Sequence, residues 1–148
     1  MSEALDIFTK RVPVEEGVRY YAYNDATGKS VTLKPNGNLS IGIGVNLEIG
    51  LDPIEVSWLF LHRAELVEEQ LLPLTWYSSS DPVRQSVALD MGFNMGVETL
   101  MKFTQMIAAW GAQNWQLAGA QLLASKAARE DQERYEKLAS ILVSGSDT

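Results

Sequence analysis

The chain has 148 residues, with twelve Lys and Arg against nineteen Asp and Glu, one histidine and no cysteine. That length suits a single domain with its own core, and the missing cysteine excludes a disulfide framework and a thiol nucleophile. A net charge of −7 argues against a nucleic-acid partner, and the lone His62 leaves zinc hydrolysis or a Ser-His-Asp machine without ordinary parts.

Taken in order, the first residues carry acids and no apolar run of signal-peptide length, and no later stretch approaches the roughly 20 apolar residues of a membrane span. A chain made and kept in the cytoplasm is expected. Leu5, Phe8 and Val12 recur at helical spacing over 2–12, and Ser2 is placed to cap the helix. Pro13 either kinks that helix or opens a second turn, and Gly17 is a stop that accepts the left-handed conformation.

From Tyr20 to Ile43 aromatic and β-branched residues alternate with polar ones around the turn signal Lys34-Pro35-Asn36-Gly37-Asn38. The reading is a small antiparallel sheet with hairpin arms at 31–33 and 39–41. Asp52-Pro53-x-Glu55 then starts a long helix to about Leu72, broadly apolar and suited to a spine between two lobes. Six of the acids and one base fall between Glu48 and Glu69, a run expected on a solvated helix face. Asp81-Pro82 repeats the start signal, and helices are expected over 83–93, 97–110, 114–125 and 128–142, followed by a frayed polar tail. The fold class is therefore α+β: one domain, with a β-lobe at about 13–50, a connecting helix at about 52–72, and a helical lobe formed by 1–12 and 73–145.

With thiol, zinc and Ser-His-Asp chemistry set aside, carboxylates remain. Glu16 falls where the first helix ends, and the negative end of the helix dipole opposes its ionisation, which suits a general acid. Taken singly, it reads as a surface acid in the pair Glu15-Glu16. Asp25, after the aromatic Tyr20-Tyr21-Ala22-Tyr23 segment, reads singly as a turn residue. Ser40 leads into Ile41-Gly42-Ile43-Gly44, whose glycines give a ligand room to approach but lack the Lys-Ser/Thr ending of a phosphate loop. An acid, a carboxylate and a held water suffice to hydrolyse a glycosidic bond.

The order Glu16-Gly17-x-Arg19-x-x-x-Tyr23-x-Asp25, then Ser40-Ile41-Gly42-Ile43-Gly44, resembles the bacteriophage-type lysozymes of glycoside hydrolase family 24. Phe93-Asn94-Met95-Gly96, Phe103-Thr104, Trp115, Arg134 and Ser144-Gly145 extend the likeness over most of the chain. The resemblance implies a lysozyme-like fold and a muramidase that cuts the β-1,4 bond between N-acetylmuramic acid and N-acetylglucosamine, with inversion. It makes Glu16 the general acid and Asp25 the second carboxylate. Ser40 takes the place of a threonine that holds the water. Asn46, Phe93, Asn94 and Gln121 become substrate contacts, and Arg134 becomes the partner of the catalytic glutamate; its plain alternative is an i,i+4 partner of Glu130. No cofactor and no metal are implied, and the partner is the glycan strand of peptidoglycan, met by a monomer. A phage endolysin of this kind waits in the host cytoplasm until the membrane is opened.

The departures are an extended connection between Asp25 and Ser40, Val45 in place of a histidine, Ala127 in place of an aromatic, and an acidic charge that would slow encounter with an anionic wall. A lytic transglycosylase and a catalytically impaired peptidoglycan-binding module are the alternatives.

Overall fold

A computed structural model describes residues 1–23, 27, 29–30, 40–42 and 45–147, and at 15 and 16 the backbone alone. These residues form an α+β arrangement, mainly helical, with a two-stranded antiparallel sheet.

Helix α1 spans Glu3–Glu16. Ser2 Oγ accepts the Leu5 N–H at 3.0 Å, and Leu5, Phe8 and Val12 are buried as their spacing predicts. The helix continues through Pro13 to Glu16, so of the two expected outcomes at Pro13 the chain stays helical up to Gly17. Pro13 is accommodated inside it at the cost of one backbone N–H donor. Gly17 closes it with φ 71° and ψ 161°, so the expected positive φ is present but the conformation is extended, not left-handed helical.

Strands β1 (Ser40–Ile41) and β2 (Val45–Asn46) pair antiparallel, Ser40 opposite Asn46 and Ile41 opposite Val45. Gly42 has φ +60°, so this glycine serves a hairpin turn and not a strand interior. Tyr23 and Ser30 form a further antiparallel bridge. The expected hairpin arm at 31–33, and with it the extended connection, lies outside the described residues. Gly50 marks a close approach: a Cβ there would sit 2.5 Å from the Tyr20 carbonyl oxygen and 2.7 Å from the Tyr21 ring. The neighbouring Leu51 N–H donates to that same carbonyl at 2.7 Å, which ties the sheet region to the start of the next helix.

Helix α2 (Pro53–Leu71) opens with the expected capping box. Asp52 Oδ1 accepts from the Ile54 and Glu55 N–H groups at 2.7 and 2.8 Å, and Glu55 Oε2 accepts from the Asp52 N–H at 2.8 Å. Its second half packs through Ala64, Glu68 and Leu71, whereas Ile54 and Trp58 in the first half are exposed. Of the acidic run, Glu55, Glu65 and Glu69 face solvent as expected. Glu68 is the correction: it is buried, accepting from Ser2 Oγ and, at 3.5 Å, from the Tyr77 hydroxyl. Burial, and then the Glu68 charge, push the Tyr77 phenol well above its ordinary value.

Tyr77 lies on a short helix the sequence did not announce, α3 (Thr75–Ser78). The chain continues as α4 (Pro82–Met95), α5 (Val97–Leu100), α6 (Thr104–Gly111), α7 (Trp115–Leu123), α8 (Lys126–Glu130) and α9 (Gln132–Ser144). Two expected long helices are thus broken. The first stops at Met101-Lys102-Phe103, where the Lys102 and Phe103 N–H groups turn back to the Thr99 and Leu100 carbonyls at 3.1 and 3.0 Å. The second stops at Asp131, whose backbone leaves the helical region (φ −141°, ψ 74°) and makes it an N-cap, its carboxylate accepting from the Arg134 N–H at 3.4 Å.

Helix α4 is the axle of the helical body: residues 86–92 are all buried, under α1, α2, α5 and α9. Gly119 lets α7 and α9 cross closely, since a Cβ there would meet Val143 Cγ2 at 2.6 Å. No helix among the described residues is long and apolar enough to cross a membrane.

The tail expected to fray is tied down through Asp147. Gly145 turns left-handed (φ 69°, ψ 25°) and its N–H returns to the Ile141 carbonyl at 2.8 Å. Arg84 lies over the Trp115 ring at 4.1 Å and donates to the Leu142 and Val143 carbonyls at 2.8 and 3.2 Å, capping α9 from α4. Asp147 Oδ1 accepts from Arg11 at 3.0 Å.

Asp81 holds Arg84 in turn, accepting its N–H at 3.0 Å and its Nη1 at 2.6 Å. Burial alone would raise the Asp81 carboxyl, but the Arg84 N–H and guanidinium outweigh it and hold the group below its ordinary value. A folded-state value below the unfolded one means stability present at neutral pH and lost as pH falls through the folded value. Asp81→Ala should therefore cost about 1 kcal/mol at pH 7, as N-cap losses do. In urea melts, the gap from wild type should close as pH falls below the ordinary carboxylate range; a gap independent of pH would show that the charge contributes nothing.

Candidate active-site groove

The end of α4, the start of α6, the α7–α8 turn and the start of α9 enclose an open groove of about 750 Å³. Asn94 reaches it from the last turn of α4, exposed just before Gly96 (φ 83°) ends that helix. Phe103 gives one aromatic wall and Gln121, half-buried on α7, lies across from it. Ser125 caps α8 by accepting the Ala128 N–H at 3.1 Å, which places Ala127 on the groove. Tyr135 lies buried beneath, its phenol pushed up by burial more than the Arg134 charge pulls it down, so it stays a hydrogen-bond donor at neutral pH.

Asn94, Gln121 and Ala127, separated by up to 33 positions in the chain, therefore come together on one surface. Phe93, expected beside Asn94 on the wall, is turned the other way. Its ring packs at 5.4 Å from Phe8 and 5.3 Å from Phe60, and the groove's aromatic side comes from Phe103 instead. The 100° step between successive helical residues puts one neighbour in the groove and the other in the core.

On the sheet, Ser40 is exposed and stands directly opposite Asn46, so their side chains share a face. Asn46 Oδ1 already accepts the Glu48 N–H at 2.9 Å, leaving chiefly its NH₂ to meet a ligand. Glu16 is the last residue of α1; its side chain, and Asp25 entirely, lie outside the described residues.

Arg134 donates Nε and Nη2 to Asp90 Oδ1 at 3.2 and 2.7 Å. Glu130, its surface alternative, pairs with Lys126 at 3.4 Å. Asp90 is the functional candidate that reading the sequence missed. Its one available signal was an acid embedded in the apolar run Val87-Ala88-Leu89-Asp90-Met91. Among the described residues no cluster of His, Asp and Glu is arranged to hold a metal ion. No protein-family model matches the chain, and no curated protein matches it.

The groove's lining mixes amides and hydroxyls (Asn94, Gln105, Gln121, Thr99, Thr104) with apolar walls and with the charged Lys102, Lys126, Glu130 and Asp131. Amides and hydroxyls offer paired donors and acceptors suited to sugar hydroxyl and acetamido groups.

Proposed function

We propose that the protein is a muramidase of the phage endolysin kind, hydrolysing the β-1,4 bond that follows N-acetylmuramic acid in peptidoglycan. The observation that carries this reading is the convergence of Asn94, Gln121 and Ala127 on one open groove. The resemblance makes Asn94 and Gln121 substrate contacts and puts Ala127, where the family has an aromatic, near the cleft; nothing in their spacing along the chain requires them to meet. The pairing of Ser40 with Asn46 on one sheet face supports it separately.

In this reading the glycan lies along the groove. Glu16 gives its proton to the departing glycosidic oxygen, and Asp25 draws a proton from water on the opposite ring face. Ser40 holds that water, with more rotational freedom than a threonine would have. Inversion requires the two carboxyl groups to stand roughly 6.5–9.5 Å apart, leaving room for the water between. Asn94 and Gln121 hold the sugars in register, and Arg134 steadies the acid. The wall is reached once the host membrane is opened.

The test is release of soluble reducing ends from purified peptidoglycan. Steady release is expected. Binding to the sacculi with no release would favour a binding module instead.

A further inference from the structure

Asp90 sits in the middle of α4 with 0% exposure, and its carboxylate is divided between two other helices. Oδ2 accepts from Arg11 Nη2 of α1 at 3.1 Å, and Oδ1 accepts from Arg134 Nε and Nη2 of α9. Arg11 is itself buried and further held by Ser86 Oγ at 3.1 Å, the Ser86 carbonyl at 3.3 Å and Asp147 at 3.0 Å. Replacing buried ion pairs by apolar groups is often neutral or even stabilising, so stability is a weak reason for such a node.

Its location offers a better one, because each helix it joins leads to the site. Glu16 follows Arg11 by five residues, roughly 7.5 Å of helical rise. Asn94 is one turn beyond Asp90 on the same face of α4, and Tyr135 adjoins Arg134; both line the groove. Two donors from one edge of Arg134 fix the plane of its guanidinium, as a single contact could not.

Resting on the hydrolase reading, we infer that Asp90 is a positioning residue of the active site. It orients Arg134 from behind and locks the helix carrying Glu16 to the helix carrying Asn94. It touches no substrate; its effect is exerted through Arg134 and α1.

The test is Asp90→Asn in the full chain, assayed on soluble peptide-bearing glycan oligomers at a temperature where the variant is fully folded. Asparagine keeps the size but sets an NH₂ against an arginine N–H. The expected result is a fall in kcat of about 10- to 100-fold, the scale of a small misplacement, with KM changed by less than about twofold. The Arg134 Nε–H resonance in ¹⁵N–¹H spectra should broaden or move. Asp81→Ala, weakened away from the groove, should keep its kcat and serves as the control for lost stability alone. An unchanged kcat and Arg134 resonance, or losses that only follow the unfolded fraction, would overturn the inference and leave the hydrolase reading standing. A wild-type protein that releases no reducing ends would overturn both.

Discussion

Glu16→Gln should reduce the hydrolysis of peptidoglycan by about 10²–10⁴-fold, the contribution a positioned general acid makes. The same variant should fold about as well as wild type, because relief from the helix dipole offsets the weaker pairing of a glutamine with Arg134. Glutamine has the size of glutamate and no proton of the right acidity to give. At the last residue of α1 it also relieves a carboxylate from the negative end of the helix dipole, a gain of about 0.3–1 kcal/mol. Lost activity with about equal stability is the signature of a residue kept for chemistry. Turbidity clearance and a urea melt on the same preparation check both halves. Retained clearance would remove Glu16 from the acid's role.

Phe8→Ala should give a large loss of stability, about 3–5 kcal/mol, the range for truncating a buried Phe. Phe8 has 0% exposure, and its ring lies 5.5 Å from Phe60 and 5.4 Å from Phe93, which meet each other edge-on at 5.3 Å. The three rings come from α1, α2 and α4, so a cavity here loosens the seat of the helix that carries Glu16. Against the 5–15 kcal/mol typical of a whole domain, that loss is a large share, and the urea midpoint should fall without a change of slope. A loss under about 1 kcal/mol would mean the cluster relaxes around the gap and does not fix α1.

What was legible in the sequence is what depends on near neighbours. The caps at Ser2, Asp52 and Asp81 form as read, because a cap needs only a short polar side chain and the next turn of backbone. The breaks at 101–103 and at Asp131 were hidden because apolar spacing runs through both. Phe103, Ile107 and Trp110 continue the stripe of Leu100, and Tyr135 and Leu138 that of Ala128. Asp131 could have been read as a cap, but it sits among the charged residues Arg129, Glu130, Glu133 and Arg134, where one more acid gives no contrast.

The tail was misjudged for a different reason. Its anchors, Arg11 and Arg84, are distant in sequence, and a polar segment gives no local sign of a distant arginine. The same holds for Asp90 and for Glu68, whose burial depends on partners brought up by other helices. Within the site, Asn94 and Gln121 were reached through resemblance and meet in the groove. Phe93 went astray because a family-like string of residues does not record which of two adjacent side chains faces inward.

The most direct measurement is digestion of purified peptidoglycan in water enriched in oxygen-18, with the products separated and weighed and the new anomer followed by NMR. The expected products are N-acetylmuramic acid reducing ends that each carry one heavy oxygen and appear first as the α-anomer. Unlabelled 1,6-anhydro ends, or intact strands recovered with the protein bound, would contradict it.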